Sequence, residues 1–329
     1  MRTENMLKIP TILTADEVLD KAFRKASKTD YQGLTRIDTV RETNISKVRS
    51  ASDVIASTLG KYVKAFPSIE RLSPFYAALI DVTIGKDKLK KSLGAIDWCR
   101  GAVARISRDA IRSIAKARSI DAIDTSRRAA YGRISSIVKQ IDKELKFVAI
   151  ARNTIRKFPT VDVSIPTIVI AGAPNVGKSQ IVGQISTGKP RVAVYPFTTQ
   201  EISLGVFERK YLRYQVIDTP GLLDRPLEER NTMELRAVLA LKHLADAIVF
   251  VIDPSETCGY TLEQQEHLLE SLRGEFGSTP MIVVENKADL VRSKSDRLKM
   301  SAVAGEGLPE LIGELVGRLA GSQKHQQRL

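Results

Sequence analysis

Residues 167–185 read TIVIAGAPNVGKSQIVGQI, and the fold turns on this stretch. TIVIAG (167–172) is a short apolar run rich in β-branched residues, which predicts a buried strand. From about 177 to 187 the apolar positions return at helical spacing. Between the two lies Gly172-Ala-Pro-Asn175-Val176-Gly177-Lys178-Ser179, a G-x-x-x-x-G-K-S loop. Its glycines let backbone N–H groups turn inward around anionic oxygens, and the helix N-terminus adds its positive end. Lys178 is expected to reach the β- and γ-phosphates of a nucleotide, and the Ser179 hydroxyl to ligate Mg²⁺. A glycine turn without a ligand would not need the strand, helix, Lys and Ser all in register.

Outward from the loop, YQVID (214–218), AIVFVID (247–253) and MIVVEN (281–286) read as further buried strands. Helical patterns fall at about 230–244 and 261–275, and a last helix at about 307–320. Strands alternating with helices predict an α/β domain with a doubly wound, mostly parallel sheet over 161–322. Residues 201–213 alternate as an edge hairpin, and 323–329 form a polar tail.

The base is chosen by Asn286-Lys287-Ala288-Asp289, closing the 281–286 strand. A carboxylate at Asp289 can accept both the N1–H and the N2 amino donors of guanine, which adenine lacks. Asn286 can meet the base edge, and the Lys287 stem can cover the ring. Ser301-Ala302 supplies a further loop, whose Ala302 N–H would face the base carbonyl. Asp218-Thr-Pro-Gly221 ends another strand: Asp218 is expected to hold Mg²⁺ and the Gly221 N–H to sense the γ-phosphate. Tyr195-Pro-Phe-Thr198-Thr199 supplies a switch threonine, with Thr199 preferred over Thr198 as a Mg²⁺ ligand. The five elements in order predict a GTP/GDP pocket with Lys178, Thr199 and Gly221 as its catalytic groups. Many such enzymes carry a water-orienting glutamine after the D-x-x-G motif. Here Leu222 stands there, so turnover is expected to be slow and completed by an outside group.

The first half has another rhythm. Ile134, Val138, Ile141, Leu145 and Val148 step by four and three, and Leu89, Leu93, Ile96, Val103, Ile106 and Ala110 form a second stripe. Long helices are expected at 86–118 and 124–157, the latter capped by Asp124 or Thr125, with others at 14–28, 35–65 and 68–83. Together they predict an all-α antiparallel bundle over 1–160, with Trp98 in its core. That half holds 32 Lys/Arg against 17 Asp/Glu, whereas 161–329 holds 19 against 21, so a polyanionic partner is expected for the bundle alone. Arg105, Arg108, Arg112, Arg127, Arg128 and Arg133, near the inter-helix turn, are the candidates for RNA phosphates. Few aromatics are interleaved, which favours backbone and shape recognition over base stacking.

No run approaches the roughly 18–20 apolar residues of a membrane span, and no signal-type segment opens the chain. A cytoplasmic monomer with no membrane or DNA partner is expected. Cys99 and Cys258 suit small buried side chains, and three scattered histidines make no metal cluster.

YPFTT together with APNVGKS resembles the Obg-related branch of translation-factor-like GTPases. DTPGLLDRPLEERNTMEL (218–235), DPSETCGYTLEQQ (253–265), RRAAYGRISSIVKQ (127–140) and SPFYAALIDVTIGKDKLKKSLGAI (73–96) narrow the likeness to the Nog family, in its short archaeal form. The resemblance implies a switch protein docking on rRNA during assembly of the large ribosomal subunit. It also implies that Asn175 matches an asparagine that helps bind K⁺ in related enzymes, so K⁺ or an arginine from a partner can complete the site. Two other functions remain open: a GTP-stabilised protein-binding module, and a GTPase acting on tRNA or in translation.

Overall fold

The computed structural model describes residues 8–195, 201–230 and 232–320, so Thr198, Thr199 and the polar tail lie outside the described residues. The chain divides into two compact units. One gathers the described residues of Glu4–Ile69 and Ile84–Arg156, the other those of Glu70–Thr83 and Lys157–Leu329.

The first unit is helical: α1 (Ala15–Ser27), α2 (Arg36–Ala65), α4 (Lys86–Lys116), α5 (Ile120–Gln140) and α6 (Asp142–Ile155). Local chemistry sets the starts. Thr14 and Glu17 form a reciprocal capping box on α1, and the Thr35 hydroxyl accepts the Asp38 N–H on α2. Leu89, Ile96, Val103 and Ile114 of α4 are buried, as are Val48, Ile55 and Leu59 on α2 and Ile134 and Val138 on α5, the helices against which α4 packs. Three expectations need correction. The helix expected at 124–157 begins at Ile120, because the Ser119 hydroxyl accepts the Ala122 N–H at 3.2 Å, ahead of Asp124 and Thr125. It is also interrupted at Ile141, where Asp142 turns its carboxylate to the Ala15 N–H at 3.0 Å and to Lys146. Trp98 is 51% exposed rather than in the core. On a helix it stands about 200° from Ile96, opposite the buried stripe.

The second unit is built on a seven-stranded sheet: β1 (Thr167–Ala171), β2 (Arg191–Val194), β3 (Glu201–Arg209), β4 (Leu212–Asp218), β5 (Ala247–Ile252), β6 (Met281–Glu285) and β7 (Leu298–Lys299). The strand order is β2-β3-β4-β1-β5-β6-β7. β4, β1, β5, β6 and β7 run parallel, with Ile168 opposite both Val216 and Ala247, while β2 and β3 add an antiparallel edge. Every residue of β1 and β5 is buried, as expected of strands covered on both faces. The hairpin read from 201–213 joins β3 to β4 through Lys210 and Tyr211, both left-handed with φ of 51° and 63°, and the edge position belongs to β2.

Helices α7 (Lys178–Ile185), α8 (Thr232–Lys242), α9 (Leu262–Glu275) and α10 (Leu308–Ala320) complete this unit, together with α3 (Pro74–Thr83). A boundary at residue 160 does not account for α3. The buried Tyr76 hydroxyl donates to the Pro159 carbonyl at 2.9 Å and accepts the Val161 N–H at 2.9 Å, which fixes α3 to the segment leading into β1. Burial pushes that phenol up to about 12.

Candidate nucleotide site

The C-terminal ends of β1, β4, β5 and β6 open onto one cavity of about 610 Å³, the place where ligands sit in open parallel sheets. Its walls include Asn175, Gly177, Lys178, Ser179, Asn286, Lys287, Asp289 and Ala302, residues drawn from 128 positions of sequence. Val176, Asp218 and Ser301 stand behind this surface with no exposure.

The loop after β1 has a shape only particular residues allow. A Cβ on Gly172 would lie 2.4 Å from the Val251 carbonyl oxygen, and one on Gly177 would lie 2.2 Å from the Asn286 amide nitrogen. Asn175 takes a left-handed φ of 60°, which its short polar side chain tolerates. The Lys178 ammonium folds back to donate to the Gly172 carbonyl at 2.9 Å and the Ala173 carbonyl at 2.7 Å. Burial pushes the Lys178 pKa down, with Asp218 and Asp224 opposing.

Ser179 Oγ donates to Asp218, and the other Asp218 oxygen is buried with no partner among the described residues. Burial raises the Asp218 pKa, and the Ser179 hydrogen bond and Lys178 oppose the rise. A hydroxyl beside a carboxylate with an unfilled oxygen is a donor set for a small hard cation, so these residues fit Mg²⁺.

Asn286 acts as a clamp. Its Nδ2 donates to the Val176 carbonyl at 2.8 Å and its Oδ1 accepts the Ala302 N–H at 2.9 Å. Asn286 therefore has one amide N–H left for a base edge, and the Ala302 N–H expected to face a base carbonyl already has a partner. Val176, expected at the nucleotide, is buried behind the cavity and acts through its carbonyl, which accepts the Asn286 amide. Asp289 is exposed and held at one oxygen by the Ser301 hydroxyl at 2.5 Å, which leaves the other oxygen to accept donors. The Gly221 N–H, expected to be available, donates to Asp224 Oδ2 at 2.9 Å.

Sequence reasoning missed Asp253. Fully buried at the end of β5, it accepts from Lys287 Nζ at 2.6 Å, the Cys258 N–H at 2.9 Å and the Ser255 N–H at 3.0 Å. Burial alone would raise its pKa, but the bonds from Lys287 and Ser255 hold it below the ordinary carboxylate value. The buried Gln265 side chain grips the Asp253 backbone on both sides, at 2.7 and 3.0 Å. This network aims the Lys287 stem along the cavity wall. An aspartate closing a parallel strand was the signal that marked it.

In the helical unit, Arg105, Arg108 and Arg112 are exposed and share one face of α4, at spacings of three and four. Arg128 and Arg133 are exposed on α5, about 140° apart around it. Arg127 is half-buried, 3.5 Å from Asp124 and 5.6 Å over the Tyr131 ring. Both cysteines are free and buried, and burial pushes the Cys99 thiol up to about 12. No helix among the described residues is long and apolar enough to cross a membrane, and no group of three or more His, Cys, Asp and Glu side chains among them is gathered as a metal site.

Two family models match the chain: the NOG1 N-terminal helical domain over residues 7–162 and Nucleolar GTP-binding protein 1 (NOG1) over residues 232–289. An uncharacterised protein of Methanocaldococcus jannaschii is 41% identical over 86% of this chain and 81% of its own length. Nucleolar GTP-binding protein 1 of Encephalitozoon cuniculi is 37% identical over 84% of this chain. The chain covers 52% of that relative, so it spans about half of its length. A crystal structure assigned to nucleolar GTP-binding protein 1 of Plasmodium falciparum covers 51% of this chain and 93% of its own, at 32% identity and a TM-score of 0.47. With the likeness running through both the helical half and the nucleotide-binding half, the chain belongs to the nucleolar GTP-binding protein 1 family and is a GTP-binding protein with the P-loop GTPase fold.

Proposed function

We propose that this chain is a slow GTPase switch that docks on rRNA of a large-ribosomal-subunit precursor through its helical unit. The observation that carries the docking half is charge. The helical unit holds 29 Lys/Arg against 15 Asp/Glu, while the remainder of the chain holds 22 against 23. A surplus confined to one unit is what a phosphate-lined partner selects.

In the nucleotide unit, Lys178 would leave its loop carbonyls for the β- and γ-phosphates, and Asp289 would accept the guanine donors. Ser179 and Asp218 would hold Mg²⁺, which neutralises phosphate charge when bound. Thr199 is proposed as the remaining Mg²⁺ ligand. Leu222 is buried at 1% exposure and offers no group to orient water. Hydrolysis is therefore slow until a partner arginine or K⁺ supplies the missing charge, with Asn175 the K⁺ candidate. Equal rates in KCl and NaCl at one ionic strength would remove K⁺ from this account.

Docking is tested by sedimenting the protein with large-subunit precursors and rRNA, in a GTP analogue, GDP and no nucleotide, across a salt series. Nucleotide-dependent binding that falls steeply with salt is expected. Equal binding in all nucleotide states would leave the nucleotide as a stabiliser of a protein-binding module. Binding to tRNA or mature ribosomes in preference to precursors would move the protein into translation.

A further inference from the structure

The loop after β4 carries an anion where a nucleotide's last phosphate is expected. Asp224 takes the Gly221 N–H on Oδ2 at 2.9 Å, at a glycine whose φ of 72° turns that N–H out of the strand line. Asp224 also lines the cavity beside Lys178 and Pro220. It is close enough to Lys178 and Asp218 for its charge to act on both. A carboxylate thus lies among the groups that a γ-phosphate needs.

Arg230 braces it from behind. This side chain has no exposure, and one of its terminal nitrogens is 3.6 Å from Asp224 Oδ1. It donates to the Gly221 carbonyl at 3.3 Å and to the Arg225 carbonyl at 3.1 Å. Arg225 is fastened in turn by both oxygens of Glu234 at 3.1 Å. Residues 221–230 and Glu234 are therefore tied around a carboxylate and a buried guanidinium, both contributed by the chain itself.

We propose that Asp224 is an internal stand-in for the γ-phosphate, and that it sets the preference of the pocket between GDP and GTP. The inference rests on the guanine-nucleotide reading of the cavity. GDP ends at the β-phosphate and leaves Asp224 on the Gly221 N–H. GTP brings a second anion to the same donor, and two like charges at contact distance repel strongly in a partly buried site. The carboxylate must leave before the γ-phosphate can be held, and its departure takes the brace of Arg230 with it. The cost falls on GTP alone.

The test is the affinity of the full chain for fluorescent GDP and a fluorescent non-hydrolysable GTP analogue, with Mg²⁺, in wild type, Asp224→Asn and Asp224→Glu. Asp224→Asn, which keeps the shape and removes the charge, is expected to shift the GTP:GDP affinity ratio toward GTP by about tenfold. Asp224→Glu, which keeps the charge, should stay near the wild-type ratio. If Asp224→Asn does not fold, Asp224→Ser carries the same expectation with less bulk. An unchanged ratio, or both nucleotides weakened alike, makes Asp224 a loop brace and overturns the proposal. Wild-type chain that binds neither nucleotide overturns the pocket reading as well, and so tells the two failures apart.

Discussion

The two units commit their charged side chains in opposite ways. In the nucleotide unit they are spent on one another: Lys287 on Asp253, Ser179 on Asp218, Arg230 on Asp224 and Gly221. Asp253 and Arg230 are each fixed by several bonds, and the cavity beside them has a definite shape. In the helical unit Arg105, Arg108, Arg128 and Arg133 stand out in water, and Arg112 has only a 3.7 Å contact with Asp109 at 77% and 72% side-chain exposure. Such pairs contribute little to stability. A preorganised network recognises one small ligand by geometry, whereas an unspent surface charge recognises a polyanion by number. The two units should therefore respond to mutation differently: steeply and singly in one, gradually and additively in the other.

The steepest case is Lys178→Ala. It removes a buried ammonium that charge-assisted bonds to phosphate would use, at roughly 3 kcal/mol or about 100-fold in nucleotide affinity. RNA binding without nucleotide should be unchanged. Fluorescent-nucleotide titration and RNA gel shifts read the two sides, and a loss of less than about fivefold in nucleotide affinity would contradict the pocket geometry.

The triple variant Arg105→Ala/Arg108→Ala/Arg112→Ala tests the other unit. Three phosphate contacts fewer should lower the slope of log affinity against log salt by about 2, and RNA affinity by roughly 30-fold at moderate salt. Nucleotide affinity should hold within about twofold. An unchanged salt slope would mean that this face of α4 does not meet the RNA backbone.

The same contrast explains what could be read in the sequence. Phosphate and guanine recognition tolerate few solutions, so Gly172, Lys178 and Ser179, expected at phosphate and its metal, and Asp289, expected at the base, stand out by type and spacing, and the strands beside them by apolar runs. What stayed hidden was pairing across the fold. Nothing near Asn286 says that its amide bridges Val176 and Ala302, or that Asp224 lies on Gly221. In the helices the periodicity gave the 134–148 stripe correctly, whereas on α4 Leu93 and Ile106 are only half-buried, and helix ends followed single hydroxyls such as Ser119. Trp98 was misplaced because its size suggested a core role, although the Leu89–Ile96–Val103 stripe already put it on the far face.

The smallest expected effect separates Arg127 from Arg128, adjacent residues that the sequence gives the same role. Arg127 keeps only 26% of its side chain exposed, is paired with Asp124, and lies over Tyr131, which packs on Phe23 with ring centroids 4.5 Å apart. Such a guanidinium is already engaged, and binding a phosphate would require it to leave both partners. Arg127→Ala should therefore cost about 0.5–1 kcal/mol of stability and change RNA affinity by less than about twofold. Arg128→Ala, on the exposed side of α5, should do the reverse, with stability unchanged and RNA affinity lower by about threefold. Denaturant unfolding and RNA titration of the two variants at one salt concentration make the comparison. If Arg127→Ala weakens RNA binding as much as Arg128→Ala, the aromatic pocket around Tyr131 is itself part of the RNA surface, and half-burial is not the mark of an arginine already spent.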